Sequence, residues 1–237
     1  CDPTRFRQIV GSLIYLTITR PDLSYPVGVI SQFMARPTEE HLQCAQCLLR
    51  YVSGTKDWGL LYQTGTTTQF VGYTDADWAG NVVDRRSTSG YAFSLGSAVI
   101  AWSSKKQLTV ALSSTEAQYR GAVVATCEAI WLKRLLKDLQ EEVSDPTTMY
   151  NDNLNNIHLA KKPVFNAQTK HIEVHYHFVR ERVLFGEVEL QYVPMDRLTV
   201  DIFTKPLGRD KLRQFSGALG LRHLDVSNLR GRRVSRD

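Results

Sequence analysis

The alternation of apolar and polar residues divides the chain into a helical first part and a mixed α/β remainder. In the first part, apolar residues recur every three or four positions, which predicts helices over residues 6–16, 21–34 and 39–52. A polar stretch rich in Gly and Thr follows at residues 64–68 and reads as a linker. We therefore take residues 1–63 as a separate helical segment.

Residues 69–207 carry strand-like and helix-like runs in an order typical of an α/β domain. The predicted strands lie near residues 70–75, 90–95, 98–103 (or as far as 112), 147–151 and 188–193. The predicted helices lie near residues 114–140, 153–160, 172–185 and beyond 197. We expect a five-stranded mixed sheet flanked by helices, followed by a basic C-terminal helix and tail over residues 208–237.

Four separated carboxylates stand at predicted strand ends or helix starts. Asp75 ends the first strand of the domain, Asp152 follows the fourth, and Asp201 comes after the fifth. The remaining acid, Glu116, opens the long predicted helix. We expect it to head the helix face that packs on the sheet, which consists of Glu116, Tyr119, Val123, Cys127, Ile130 and Arg134. Because open α/β sheets gather their ligands at the carboxyl ends of strands, we expect the acids to converge.

Each acid also has a purely structural interpretation. Ser113 and Glu116 fit a capping box, Asp152 fits a helix N-cap, and Asp201 fits an acid in the first turn of a helix. Their joint arrangement favours magnesium, which prefers oxygen ligands. Two such ions about 4 Å apart can activate a water and stabilise the leaving oxygen of a phosphodiester. Since like charges repel, at least one acid should have a raised pKa without metal.

Long sequence motifs follow one another in a fixed order along most of the chain. They read GYTDADWAG at 72–80, RRSTSGY at 85–91, AWSSKKQ at 101–107, LSSTEAQY at 112–119 and DIFTKPL at 201–207. Together they resemble the ribonuclease H domain of copia-type LTR retrotransposon Pol polyproteins. Residues 6–16, 19–22 and 49–55 are similar to the segment that follows the polymerase core in the same polyproteins, so the resemblance covers nearly the whole chain.

The resemblance implies a ribonuclease H-like fold and a metal-dependent endonuclease that hydrolyses the RNA strand of RNA–DNA hybrids. It implies that Asp75, Glu116, Asp152 and Asp201 are the catalytic, metal-ligating acids, with Asp77 a neighbour. The implied cofactor is two Mg²⁺ ions, with Mn²⁺ as the alternative, and the implied partners are the hybrid and the upstream reverse transcriptase part of the polyprotein. The alternative hypothesis is a catalytically inactive, nucleic-acid-binding remnant of an insertion.

The chain departs from the family pattern at several positions. The family usually has Glu at position 118, Cys at 151, His and Arg at 166 and 168, and Ala at 200, where this chain has Gln118, Asn151, Asn166, Gln168 and Val200. None of these five is a predicted ligand. No histidine lies between Val193 and Asp201, where cellular relatives carry a loop histidine, and no Tyr-x-Asp-Asp polymerase signature is present.

Positive charge is concentrated near the C-terminus. Residues 209–237 hold eight Lys or Arg and three acids, which equals the net charge of +5 for the whole chain. Such a tail attracts phosphate backbones without reading their sequence, although a solvated arm has the same composition. The remaining candidates for nucleic-acid contact are Arg85, Arg86, Lys105, Lys106, Lys170 and Lys205.

Composition favours a soluble intracellular protein. No apolar run reaches the length of a membrane span, so no membrane partner is expected. Cys44 and Cys47 have no second pair and are predicted to be reduced thiols. The chain begins at Cys1 rather than Met, and we expect a fragment of a longer protein. The expected location is a cytoplasmic virus-like particle or the nucleus.

Overall fold

The computed structural model describes residues 2–65, 69–141, 143–161 and 173–224. The helices are α1 (Pro3–Leu16), α2 (Ser24–Ser31), α3 (Glu39–Gly54), α4 (Ser114–Asp138), α5 (Leu154–Lys161), α6 (Glu173–Leu184) and α7 (Arg209–Ala218). The strands are β1 (Trp58–Leu60), β2 (Phe70–Ala76), β3 (Thr88–Leu95), β4 (Ala98–Lys106), β5 (Thr147–Asn151), β6 (Val188–Tyr192) and β7 (Leu221–His223). Short 3₁₀ turns span Pro21–Leu23, Met195–Arg197 and Thr199–Phe203.

The main sheet has five strands in the order β4-β3-β2-β5-β6. Strands β2, β3 and β4 form an antiparallel meander, whereas β5 lies parallel to β2 and β6 lies parallel to β5. This mixed sheet with flanking helices confirms the predicted ribonuclease H-like fold class. Strand β4 ends at Lys106, so the longer alternative to residue 112 is wrong.

The face of α4 that packs against the sheet is only partly the predicted one. Tyr119 is fully buried in the core, Glu116 is buried and Val123 packs against the core, as expected. The buried surface also includes the amide of Gln118, and it continues along small and aliphatic side chains, namely Ala122, Ala125, Ala129, Leu132 and Leu136. Two members of the predicted face, Cys127 and Arg134, are exposed. Small residues let the helix approach the sheet closely, and a Cβ on Gly121 would lie 3.3 Å from the carbonyl oxygen of Asp75.

The N-terminal helices α1, α2 and α3 pack around a core of their own, in which Phe6 and Leu23 are fully buried. A buried ion pair joins Arg20 to Asp22 at 2.7 Å next to this core. The indole of Trp102 on β4 donates a hydrogen bond to the Thr17 carbonyl oxygen at 3.1 Å and ties the segment to the sheet. The predicted helices are confirmed, but strand β1 near the end of the segment was not foreseen.

Residues 208–224 are folded onto the sheet. Side chains alternate along β3, so Phe93 faces α4 and Ala92 faces the opposite side. On that opposite side, Phe215 and Leu219 are buried, and β7 pairs antiparallel with β1. The packed domain therefore extends through β7 beyond the predicted boundary, and only residues 225–237 of the basic tail lie outside the described residues. None of the described helices is both long and apolar enough to cross a membrane.

Candidate active site

Asp75 lies at the carboxyl end of the central strand β2. Its partner on β3 is Gly90, where a Cβ would lie 2.8 Å from Phe203 Cβ. The absence of a side chain at Gly90 thus lets the 3₁₀ turn Thr199–Phe203 lie across the sheet beside Asp75. The hydroxyl of Thr204 donates a hydrogen bond to Asp75 Oδ2 at 2.5 Å. This packing carries Asp201 to the end of β2.

Asp152 reaches the same edge of the sheet from β5. Because β5 runs parallel to β2, with Tyr150 paired to Tyr73, the carboxyl ends of both strands lie side by side. The N-cap interpretation of Asp152 is wrong, since Asn153 Oδ1 accepts the Asn156 N–H at 3.2 Å in the first turn of α5. The Asp152 carboxylate is thereby left to face the other acids.

The three aspartates influence one another electrostatically. Burial raises the pKa of Asp201 to about 6, Lys205 opposes the rise, and the charges of Asp75 and Asp152 add to it. The pKa of Asp152 is also raised, first by burial and then by the charge of Asp75. The expectation of a raised pKa is confirmed, although burial contributes more to it than repulsion between the acids does.

Lys205 directs its ammonium into this cluster. Its Nζ lies 2.9 Å from Asp201 Oδ1 and 3.7 Å from Asp75 Oδ2. Burial lowers the pKa of Lys205, but the charges of Asp75, Asp201 and Asp152 outweigh it and raise the pKa above its ordinary value. The residue predicted to touch nucleic acid is therefore placed as a counter-charge to the aspartates.

Glu116 is oriented differently from the aspartates. Ser113 Oγ caps the helix by accepting the Glu116 N–H at 3.1 Å, and Glu116 Oε2 accepts the Leu112 N–H at 2.7 Å. Its other oxygen pairs with the Arg120 guanidinium at 2.6 Å. Ser113 is thus the N-cap that the capping interpretation expects, but Glu116 bonds to the N–H of Leu112, one residue before the cap. The carboxylate is held by the loop before α4 and by the helix itself.

Gln118 is the residue of α4 that reaches Asp75, and it was not among the predicted site residues. Its Nε2 donates to Asp75 Oδ1 at 2.6 Å and to the Ala76 carbonyl oxygen at 3.0 Å. Its Oε1 accepts a hydrogen bond from Asn151 Nδ2 at 3.2 Å. The signal available in the sequence was that both positions 118 and 151 depart from the family pattern.

The donor set suits a hard divalent cation. Asp75, Asp152 and Asp201 offer carboxylate oxygens, which Mg²⁺ and Mn²⁺ prefer. Asp201 Oδ1 is buried and makes an ion pair with the Lys205 ammonium at 2.9 Å, although this contact lacks the geometry of a hydrogen bond. Within the described ranges, no three His, Cys, Asp or Glu side chains are spaced to hold a metal as they stand. Gln118, Thr204 and Lys205 take up the oxygens of Asp75 instead.

Comparison with known proteins places the chain among transposon polyproteins. It is 43% identical over 226 residues to the retrovirus-related Pol polyprotein from transposon RE1 of Arabidopsis thaliana, covering 95% of this chain and 15% of that protein. It is 44% identical over 220 residues to the corresponding RE2 polyprotein of the same plant, covering 93% of this chain and 15% of that protein. The chain belongs to the retrovirus-related Pol polyproteins. No family model matches it.

This Pol segment thus spans about 15% of the length of the curated relatives it matches. Among solved structures, it is similar to LC11-RNase H1, with a TM-score of 0.45 and 11% identity over 62% of this chain and 97% of that one. At so low an identity, the likeness concerns the fold alone.

The predicted basic residues of the Pol segment at positions 85, 86, 105 and 106 lie at or near the start of β3 and the end of β4, which adjoin the end of β2. Pairing aligns Ala76 with Ser89 and Ser89 with Lys105, so the exposed Lys105 projects near the end of β2. Arg86 and Lys106 approach Asp84 at 3.6 and 2.7 Å. Arg85 is exposed in the loop between β2 and β3, and Lys170 lies outside the described residues.

The raised pKa of Asp201 predicts a pH dependence of stability. The unfolded side chain titrates near pH 4, so between about pH 4 and 6 the folded state binds more protons, and stability falls as pH rises through this window. Asp201→Asn removes this titration. We expect the metal-free wild type to gain about 1–2 kcal/mol relative to Asp201→Asn between pH 7 and pH 4, measured by urea unfolding in EDTA. A constant difference across this range would contradict the assignment.

Proposed function

We propose that this Pol segment is a metal-dependent ribonuclease H that hydrolyses the RNA strand of RNA–DNA hybrids during reverse transcription. The observation that carries the proposal is the convergence of Asp75, Asp152 and Asp201 from three different elements at one edge of the sheet, where burial and the neighbouring carboxylates raise the pKa of Asp152 and of Asp201. Phosphodiester hydrolysis assisted by bound cations uses water as the nucleophile, so a cluster of carboxylates is sufficient and no side-chain nucleophile is needed.

Within this proposal, Asp75, Asp152 and Asp201 hold Mg²⁺ or Mn²⁺. A cation held by these residues would supply the activation of a water and the stabilisation of the departing oxygen of the scissile phosphate. Thr204 fixes the orientation of Asp75 through its hydroxyl, and Lys205 balances the charge of the aspartates before the cation enters. The neighbouring acid Asp77 closes the turn between β2 and β3 by accepting the Thr88 N–H.

The hybrid is proposed to lie along a groove between α4 and the β3–β4 pair. This groove encloses about 440 Å³ and is lined in part by Lys105, Lys106 and Arg120, which suit the phosphates of a duplex. The hydroxyl of Ser89 and the amide of Gln107 lie at its wall, 2.8 Å apart. Such groups can recognise the 2′-hydroxyls that separate RNA from DNA.

A cleavage assay tests the proposal directly. The purified chain is expected to shorten a labelled RNA strand in a hybrid when Mg²⁺ or Mn²⁺ is present, and to leave both the DNA strand and a DNA duplex of the same sequence intact. EDTA should stop the reaction. Equal cutting of hybrid and duplex DNA would point to a nuclease without this selectivity.

The second candidate is a domain that binds hybrids without cutting them. It is favoured by one observation, the engagement of both Asp75 oxygens by the donors of Gln118, Thr204 and Lys205. Cation-independent binding of the hybrid with no cleavage at any Mn²⁺ concentration would select it. In either case the proposed partner is the upstream reverse transcriptase part of the polyprotein, in a cytoplasmic particle or the nucleus.

A further inference from the structure

Position 118 faces the aspartate cluster, and in this chain it holds an uncharged amide. Gln118 is 8% exposed, and its Nε2 lies 2.6 Å from Asp75 Oδ1. It also lies on the buried surface of α4, so the packing of the whole helix fixes its direction. Any side chain of the same length at this position would end beside Asp75.

We propose that position 118 completes the cation site of the cluster, and that Gln118 keeps this copy in a weakly metal-binding, slowly cleaving state. The part that concerns cleavage rests on the function proposed above, whereas the part that concerns cation binding does not. A glutamate at this position would add a fourth carboxylate at the point where Asp75 meets the helix.

The charge and hydrogen-bonding direction of Gln118 support this inference. Cation affinity in oxygen-ligand sites rises with the number of charged ligands, and an amide contributes no charge. The Gln118 N–H group also occupies an oxygen of Asp75 that a cation would need. Independently, Asp201 Oδ1 is buried in the same cluster and faces the Lys205 ammonium at 2.9 Å, without the geometry of a hydrogen bond. The cluster thus holds a positive charge at the place where a divalent cation would meet the carboxylates.

Glu116 does not take the place of a carboxylate at position 118. Two residues along an α-helix correspond to a rotation of about 200°, so positions 116 and 118 point in different directions. The Glu116 carboxylate is engaged by the Leu112 N–H and by Arg120. Moving it to Asp75 would break both contacts and the local end of the helix.

Cation binding to Gln118→Glu is the first test. We expect the affinity for Mn²⁺, measured by titration calorimetry, to rise about tenfold to a hundredfold over the wild type. In EDTA the variant should melt at a lower temperature, because the new carboxylate repels Asp75 and the Ala76 carbonyl oxygen loses its donor. MgCl₂ should reverse this loss. Gln43→Glu, which adds the same charge on the exposed side of α3, should behave like the wild type.

Glu116→Gln tests whether position 116 contributes to cation binding in the Gln118→Glu variant. In the Gln118→Glu background it should lower the melting temperature through the loss of the Arg120 pair, but preserve the gain in Mn²⁺ affinity. If Glu116→Gln abolishes that gain, or if Gln118→Glu binds Mn²⁺ no better than the wild type, the proposal is overturned.

The cleavage assay on the same variants keeps this inference separate from the proposed function. Faster hybrid cleavage by Gln118→Glu at fixed Mg²⁺ supports both. Tighter Mn²⁺ binding without any cleavage supports the cation site and overturns the proposed function. Full cleavage by the wild type, with no change in Mn²⁺ affinity on substitution, supports the proposed function and overturns the inference.

Discussion

Asp75→Asn is expected to lower hybrid cleavage by about 10²- to 10³-fold, because a ligand charge that stabilises the transition state is worth several kcal/mol. The loss of cleavage should appear in the wild type and also in the Gln118→Glu background, where the higher starting rate makes it easier to measure. Asparagine keeps the shape of the side chain and can still accept the Gln118 N–H at Oδ1. Hybrid binding should therefore be retained or strengthened, since less negative charge opposes the phosphates. Single-turnover cleavage and fluorescence anisotropy measure the two quantities separately.

Asp196→Asn is a suitable control for this substitution. Asp196 lies exposed in the 3₁₀ turn Met195–Arg197 and loses the same charge without touching the cluster. It should leave cleavage and binding close to those of the unsubstituted chain. If Asp75→Asn and Asp196→Asn cleave equally well, then the cluster is not the cleavage centre and the binding-domain hypothesis gains support.

The strands of this domain could be predicted from the sequence because their signals are local. Strand β2 combines β-branched and aromatic residues with a polar end at Asp75, and the turn residues around Gly96 separate β3 from β4. Strands β1 and β7 have three residues each, and they pair with each other although most of the chain lies between them in the sequence. Nothing within so short a run distinguishes a strand from a loop, so both were missed.

The site could be predicted only in part, because the rotation of α4 is a tertiary property. Larger apolar residues such as Val123 and Ile130 suggested one packing face, whereas the closeness of the helix to β2 selects the small residues Ala122 and Ala125. The two faces are related by a rotation about the helix axis, and the same rotation decides whether Glu116 or Gln118 points towards Asp75. Strand ends have no such freedom, and this explains why the expected proximity of Asp75 and Asp152 could be read from the sequence, whereas the contact of Gln118 with Asp75 could not.

The charge balance of the cluster depends on Lys205. Asp75 and Asp201 are almost fully buried, with side chains 2% and 3% exposed, and the Lys205 ammonium is the cation that stands between them. Removing one partner of a buried ion pair leaves the other charge without compensation, which costs about 3–5 kcal/mol when burial is complete. The Lys205 side chain is 33% exposed, so water screens part of this interaction.

Lys205→Met is therefore expected to destabilise the metal-free protein by about 2 kcal/mol at pH 7. Methionine keeps most of the aliphatic stem but removes the charge, so the aspartates repel one another until a divalent cation replaces it. Millimolar Mg²⁺ should restore much of the loss, and it should stabilise Lys205→Met more than the wild type, as measured by urea unfolding with and without EDTA. Lys205→Arg retains the charge and Lys211→Met removes an exposed one on α7. Both should remain close to the wild type in EDTA, and an equal Mg²⁺ effect on the wild type and Lys205→Met would show that the ammonium and the cation do not share one site.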